Sequence, residues 1–410
     1  MSGAQFAITD GDIAFYKKIG VPTPTLSPRE RLRRRLSYRP KEYFFRPCGK
    51  CHKKTISTYS PDSDVVTYCD HCFWSDDHDA KSFATNFDFD RPFFEQFREF
   101  RHRIPRHANH AIQNENADFT IYGHKDKDCY LCDETDESRG CMFGYDFQKC
   151  TDVVDGVHVH ESEACYDIVW AENCHAVFYS QNVFNSSYCA FVRNCWGCQH
   201  CLFCTNLKNQ NYHIFNKPVS KEEYDEAWAY IFSGRRSDLE ICRVRFENFV
   251  RTQPALESIS MNTEKSSGNY LFHTKNCHQC FWSDHCKDCK YCTGIHYSQD
   301  CYDAHIYNGE LLYECCNVGP EAYHNMCCQV LWYSQDVAYC QDAMYLQNCL
   351  ACFGLKKQHH CILNTAYSES EYTGVFDRIR DHMRSTGEWG EFFPAIDCLL
   401  YTSDAADEYS

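Results

Sequence analysis

Residues 189–204 read CAFVRNCWGCQHCLFC, with Cys195, Cys198, Cys201 and Cys204 at strict three-residue steps. The step extends far beyond this stretch. Cys129, Cys132, Cys141, Cys150, Cys165, Cys174 and Cys189 share the same frame, an agreement that unconstrained positions would reach in roughly one case in fifty thousand. In rows of twelve from Cys129 the chain reads CYLCDETDESRG, CMFGYDFQKCTD, VVDGVHVHESEA, CYDIVWAENCHA, VFYSQNVFNSSY, CAFVRNCWGCQH and CLFCTNLKNQNY. The first column holds only Cys or Val, and the second is apolar or aromatic throughout. A second array starts at Cys277, with Cys280, Cys292, Ala304, Cys316, Cys328, Cys340 and Cys352 in its fourth column and only Cys315 and Cys327 out of frame. CLFCTNLKNQNYHIFNKPVSKEEY (201–224) aligns without gaps on CLACFGLKKQHHCILNTAYSESEY (349–372), an internal duplication at an offset of 148 residues.

A short fixed period with small residues in register is the mark of a solenoid, in which each coil buries its inner residues by stacking on its neighbours. Columns one, four, seven and ten are then inward, one for each three-residue wall of a four-sided coil. Twelve residues at ~3.3 Å give walls of ~10 Å with coils ~4.8 Å apart. Such an interior has room for Cys, Ser, Ala, Val or Gly and little else. A series of metal knuckles is the competing reading, but it does not require a frame kept over seven rows.

The expected fold is therefore mainly β: an N-terminal zinc ribbon, then two short-coil β-solenoid arrays of about 12 residues per turn, each followed by a helical segment. Phe93, Phe94, Phe97 and Phe100 have helical spacing, and the pairs Ser220/Glu223 and Ser368/Glu371 read as capping boxes. The boundaries drawn from these signals are 1–87 for the ribbon region, 88–116 for a helical linker, 117–216 for the first array, 217–264 for a helical insert, 265–364 for the second array and 365–396 for a helical cap. Residues 398–408, CLLYTSDAADE, read as the translation of a sequencing adapter, so the natural C-terminus is expected to differ from this one.

The chain has 410 residues and 31 cysteines, too long to need the stapling of a small secreted scaffold. Its N-terminus has no basic region followed by an apolar one, and no apolar run is long enough to span a bilayer. The expectation is a cytoplasmic protein with metal-bound or free thiols. A formal charge of −16 argues against bulk affinity for nucleic acid, but the segment from Arg29 to Lys41 is locally basic and is the candidate contact for a nucleic-acid or protein partner.

The strongest chemical signal is PCGKC with YCDHC, which places Cys48, Cys51, Cys69 and Cys72 in two C-x2-C knuckles. Four thiolates suit one structural Zn2+ ion, and a closed shell leaves no open position for catalysis. His52 and His71 beside them read as neighbours of the ligands. PCGKC is also half of a zinc-deaminase signature, but residues 1–46 contain neither His nor Cys to complete it. Cys195, Cys198, Cys201 and Cys204 form a second candidate metal set; they lack the C-x3-C-P ending of a ferredoxin, and free cysteine also serves as a small buried hydrophobe. The chain has no G-x-G-x-x-G, P-loop or H-E-x-x-H motif.

FYKKIGVPTPTLSPRER, YCDHCFWSDDHD, FDFDRPFFEQF, CLFCTNLKNQNYHIFNKPVSKEEY and GEWGEFFP resemble segments of large cysteine-rich zinc-ribbon proteins of unassigned function from uncultivated candidate-phylum bacteria. The resemblance implies zinc binding and a cytosolic location, and it supplies no activity. Where that family has C-P-x-C-R, this chain has Ser27, Pro28, Arg29, Glu30 and Arg31, so a first ribbon is degenerate. Together these features point to a non-enzymatic zinc-binding scaffold, with a thiol-rich metal-storage or redox protein, multi-zinc or iron-sulfur, as the alternative.

Overall fold

Gln181 pairs with Arg193, Val183 with Cys195 and Phe184 with Trp196, a parallel register of twelve residues that recurs along most of the chain. The computed structural model describes residues 5–36, 42–145, 157–160 and 169–392. Cys150, Cys165, Arg39, Lys41, the last two residues of GEWGEFFP and segment 398–408 lie outside them. The described chain is mainly strand, in parallel sheets, and divides into two units, 109–256 and 1–108 with 257–410.

In the unit 109–256, four-residue strands alternate between two sheets. His175–Phe178, Ser187–Ala190, Gln199–Leu202 and Asn211–Ile214 are neighbours in one; Val169–Glu172, Gln181–Phe184 and Arg193–Trp196 are neighbours in the other. Parallel bridges already join Ile112 to His124 and Glu115 to Lys127, upstream of residue 117. Val177, Val183, Cys189, Val192, Cys195, Cys198, Cys201 and Cys204 face inward and are fully buried.

The inward polar residues join successive rows. Ser180 Oγ accepts from Val192 N at 3.1 Å and Ser186 Oγ from Cys198 N at 3.0 Å, so each hydroxyl satisfies a buried peptide donor twelve residues on. Every third residue, the one before each inward position, has a positive φ: Asn185, Tyr188, Phe191, Asn194, Gly197, His200 and Phe203 all lie between 50° and 62°. The left-handed region costs an L-residue on the order of 1 kcal/mol, least for Asn and Asp. Side-chain ladders offset that cost, with Asn182 Nδ2 donating to Asn194 Oδ1 at 2.9 Å and the rings of Tyr188, His200 and Tyr212 stacked.

The last parallel strand is covered by Lys217–Pro218, which pairs with it antiparallel. Helices α5 (Lys221–Ile231) and α6 (Arg236–Arg251) follow that strand without covering the end of the stack. They lie along its flank, where Phe191, Phe203, Tyr224 and Phe246 share one apolar cluster and Tyr224 Oη donates to Tyr188 O at 2.8 Å. The aromatic residues outside the walls dictate this, because their faces need cover and the strand end is already paired. The expected capping box is present, with Ser220 N donating to Glu223 Oε2 and Glu223 N to Ser220 Oγ.

The second unit carries the second array, and here the frame read from the cysteines needs correction. Ile295 pairs with Ile306 and Cys301 with Leu312, eleven residues apart; Leu312 then pairs with Asn325 and Cys316 with Gln329, thirteen apart. One residue is lost and one regained, so Cys315 faces the interior with Leu312 and Val318, whereas Cys316 does not join that cluster. Cys327 stays out of frame as expected and packs outside among Tyr313, Tyr339 and Ala351. Gly319, at φ 147°, makes the recovery feasible: a Cβ there would stand 2.0 Å from Tyr307 O.

Four helices of this unit, α1 (Asp10–Ile19), α2 (Pro28–Leu36), α4 (Phe93–Arg103) and α7 (Glu369–Ser385), pack against the array; α3 (Asp70–Trp74) carries Cys72. Phe15, Phe93, Phe97, Phe100, Ile379 and Met383 bury one shared face against Tyr313, Tyr339 and Leu350. Glu388 of GEWGEFFP accepts from Phe93 N and Phe94 N at 2.9 and 2.8 Å, supplying the carboxylate that the Pro92 N-cap of α4 lacks. Ser27 and Glu30 form a reciprocal pair at the start of α2. A helix thus stands where the resemblance places a degenerate ribbon.

Candidate metal centre

Cys48 follows strand Phe44–Pro47, whose antiparallel partner Lys54–Ser57 closes a hairpin carrying Cys51 at its tip. Cys48 N donates to Lys53 O and His52 N to Cys48 O, both at 2.9 Å, with His52 at φ 61°. Gly49 N donates to Thr67 O at 2.8 Å, and a Cβ on Gly49 would stand 2.5 Å from Val66 Cγ1. Only glycine lets the two knuckles approach this closely. Cys69 is the N-cap of α3, whose first turn carries Cys72.

These two turns bring the Sγ atoms of Cys48, Cys51, Cys69 and Cys72 within 4.8 Å of one another. Cys51 Sγ and Cys69 Sγ are 3.8 Å apart, the edge of a tetrahedron with metal–sulfur bonds of about 2.3 Å. Cys48, Cys69 and Cys72 are buried and Cys51 is exposed. Burial pushes the Cys48 thiol up, but N–H groups of Cys51, Cys69 and Lys50 outweigh it and bring it down to about 6; burial, with the neighbouring thiols, pushes Cys72 up. A cation shared by the four would take them as thiolates, so its binding releases protons. This cluster could hold a metal ion. His52 and His71 are exposed and are not among the gathered ligands.

The segment carrying the four cysteines is fastened to the second array. Lys356 Nζ donates to Trp74 O at 2.6 Å, Asn364 Nδ2 to Ala80 O at 2.9 Å, and the Arg106 guanidinium lies 4.7 Å from the Phe353 ring centroid. Unfolding this segment therefore uncovers part of the array.

Cys195, Cys198, Cys201 and Cys204 are fully buried at successive inward positions. Each thiol donates to the carbonyl two residues back, at 3.5, 3.5, 3.3 and 3.1 Å. Their ligating atoms do not gather in the same way: among the described residues, groups of three or more within 4.8 Å occur only at Cys48, Cys51, Cys69 and Cys72 and at His273, Asp284 and His285. The latter group escaped the sequence reading. Its one trace is the twelve-residue spacing of two histidines, in a chain with 21 of them.

In the basic segment, Arg31, Arg34 and Arg35 turn inward. Arg31 and Arg35 reach Asp303, Arg34 and Arg35 reach Glu314, and Arg34 reaches Glu391, while Arg29 and Arg33 remain on the surface. Among the described residues no helix is long and apolar enough to cross a membrane. No protein-family model, curated protein or solved structure matches the chain, so its chemistry rests on its own residues.

Proposed function

We propose that the protein is a non-enzymatic zinc-binding scaffold in which Cys48, Cys51, Cys69 and Cys72 hold one structural Zn2+. Two β-solenoid arrays present extended side-chain ladders to a partner. The convergence of the four thiols carries the reading: all four positions of a tetrahedral ion are taken, so the ion ties chain segments together and leaves no place for a substrate. Three guanidinium groups of the basic segment are already matched by carboxylates, which favours a protein partner over nucleic acid. Binding that weakens steeply with salt would reverse that preference.

One observation supports the alternative, a thiol-based metal or redox protein. Cys189, Cys195, Cys198, Cys201 and Cys204 are fully buried thiols packed into one cluster. Elemental analysis and a visible spectrum of anaerobically purified, dialysed protein separate the readings. The scaffold predicts about one retained thiolate-bound zinc and no colour, lost in Cys51→Ser; several sulfur-bound metals, or iron with a charge-transfer band, would establish the alternative.

A further inference from the structure

We propose that His273, Asp284 and His285 form a second metal centre, open to solvent, for a first-row divalent cation such as cobalt, nickel or zinc. Nδ1 of His273 lies 3.2 Å and Nδ1 of His285 2.9 Å from Asp284 Oδ1, and the three ligating atoms fall within 4.8 Å of one another. Ligand–ligand edges of about 3.0 to 3.4 Å are those of a cation with bonds of ~2.0 to 2.1 Å. Two imidazoles and one carboxylate are a donor set for this part of the periodic table, and three protein ligands leave positions for water or an exogenous donor.

The backbone holds the ligands in place. Phe272 pairs with Asp284 in the parallel ladder, and His285 N donates to Phe272 O at 3.0 Å. His273 and His285 occupy successive left-handed positions, at φ 49° and 51°, so their rings stack with centroids 4.4 Å apart. Tyr297 continues the stack beyond His285 at 5.0 Å. The ladder spacing thus sets the separation of the ligands, and the exposed, stacked rings turn about their side-chain torsions to aim both Nδ1 atoms at a shared ion.

The first array supplies an internal comparison. At the duplicated positions 125, 136 and 137 it has Lys, Asp and Glu, and Lys125 pairs with Glu137 at 3.3 Å. There an opposite-charge pair spans the two rows; in the second array that pair is replaced by two imidazoles on one carboxylate. His124 with Asp136 and His324 with Asp336 are simple His–Asp pairs at 2.7 Å and do not reach three ligands. The nearby Lys275 and Lys287 are turned to Glu264 and Asp288, so neither cation occupies the Asp284 carboxylate.

The test is a Co2+ titration of the untagged, zinc-loaded full chain, followed by visible absorption and by paramagnetic shifts of imidazole protons. One added equivalent is expected, without sulfur-to-cobalt charge transfer. His273→Gln and His285→Gln should each weaken it at least tenfold, and the double variant should abolish it while keeping the ribbon zinc; His324→Gln should leave it unchanged. Both altered side chains are exposed, so folding is retained and checked by circular dichroism. No added equivalent, or one that survives the double variant, overturns the proposal.

Discussion

Arg31 and Asp303, 272 positions apart, form a buried ion pair with Nη2 2.7 Å and Nε 3.0 Å from the same Oδ2. Side-chain exposure is 1 % for the arginine and 0 % for the aspartate. Arg31 also meets Glu314 and Asp303 also meets Arg35, so removing the aspartate leaves excess positive charge in this buried cluster, which costs about 3 to 5 kcal/mol. Asp303→Asn should lower stability in urea unfolding by that amount with little response to salt. A change below about 0.5 kcal/mol, the range of surface substitutions, would show that the pair is not buried in solution.

Asp126 faces the interior of the first array with no exposed surface. Burial pushes its carboxyl up to about 7, against the hydroxyl of Thr135 and the N–H of Ser138, which donate to it. Its folded pKa is raised, so the folded unit binds the proton more tightly than the unfolded chain does. The stabilisation is complete below about pH 4, the unfolded value, and is lost as pH rises to about 7. Asp126→Asn should flatten that decline of a few kcal/mol in unfolding measured between pH 4 and 8.

Two glycines should respond oppositely to alanine. At Gly319 the new Cβ meets Tyr307 O at 2.0 Å in a left-handed conformation, whereas at Gly374, exposed within α7, it meets nothing within 4 Å. Gly319→Ala should cost at least about 2 kcal/mol and disturb the register recovery; Gly374→Ala should stabilise by about 0.8 to 1 kcal/mol. Melting curves of the two variants that moved in the same direction would contradict this assignment of the thirteen-residue step.

Removing metal should act locally first. Binding to four thiolates contributes on the order of 10 to 16 kcal/mol to the folding of such lobes. Chelation, or Cys51→Ser, should abolish hydrogen-exchange protection at His52 N and Phe73 N, which hold the two knuckles. Protection at Arg193 N and Gln181 N in the first array should persist. Simultaneous loss at both places would mean that the four-cysteine segment governs the whole fold.

Much of this molecule was legible along the chain because the rules involved are local. A three-residue step puts Cys, Ser and Val inward, two C-x2-C knuckles bring thiols together, and Ser-x-x-Glu starts a helix; each needs only neighbours within a turn or the next row. The left-handed residues were less visible, since the signal is spread over Asn, Tyr, Phe and His at the positions before the inward ones. Backbone sterics there are overruled by ladders that exist only once rows stack.

Tertiary structure alone decided the rest. The cysteine frame names Cys316 as inward, yet an eleven-residue and a thirteen-residue turn exchange it for Cys315, because pairing to adjacent rows, not spacing to the last cysteine, sets which residue points in. RERLRRRL reads as a charged surface, yet Asp303 and Glu314 draw its arginines inward. His273 and His285 are two histidines among many until the ladder stacks them on Asp284. Periodicity and knuckle spacing are properties of the chain; charge matching and ligand convergence depend on which distant rows come together.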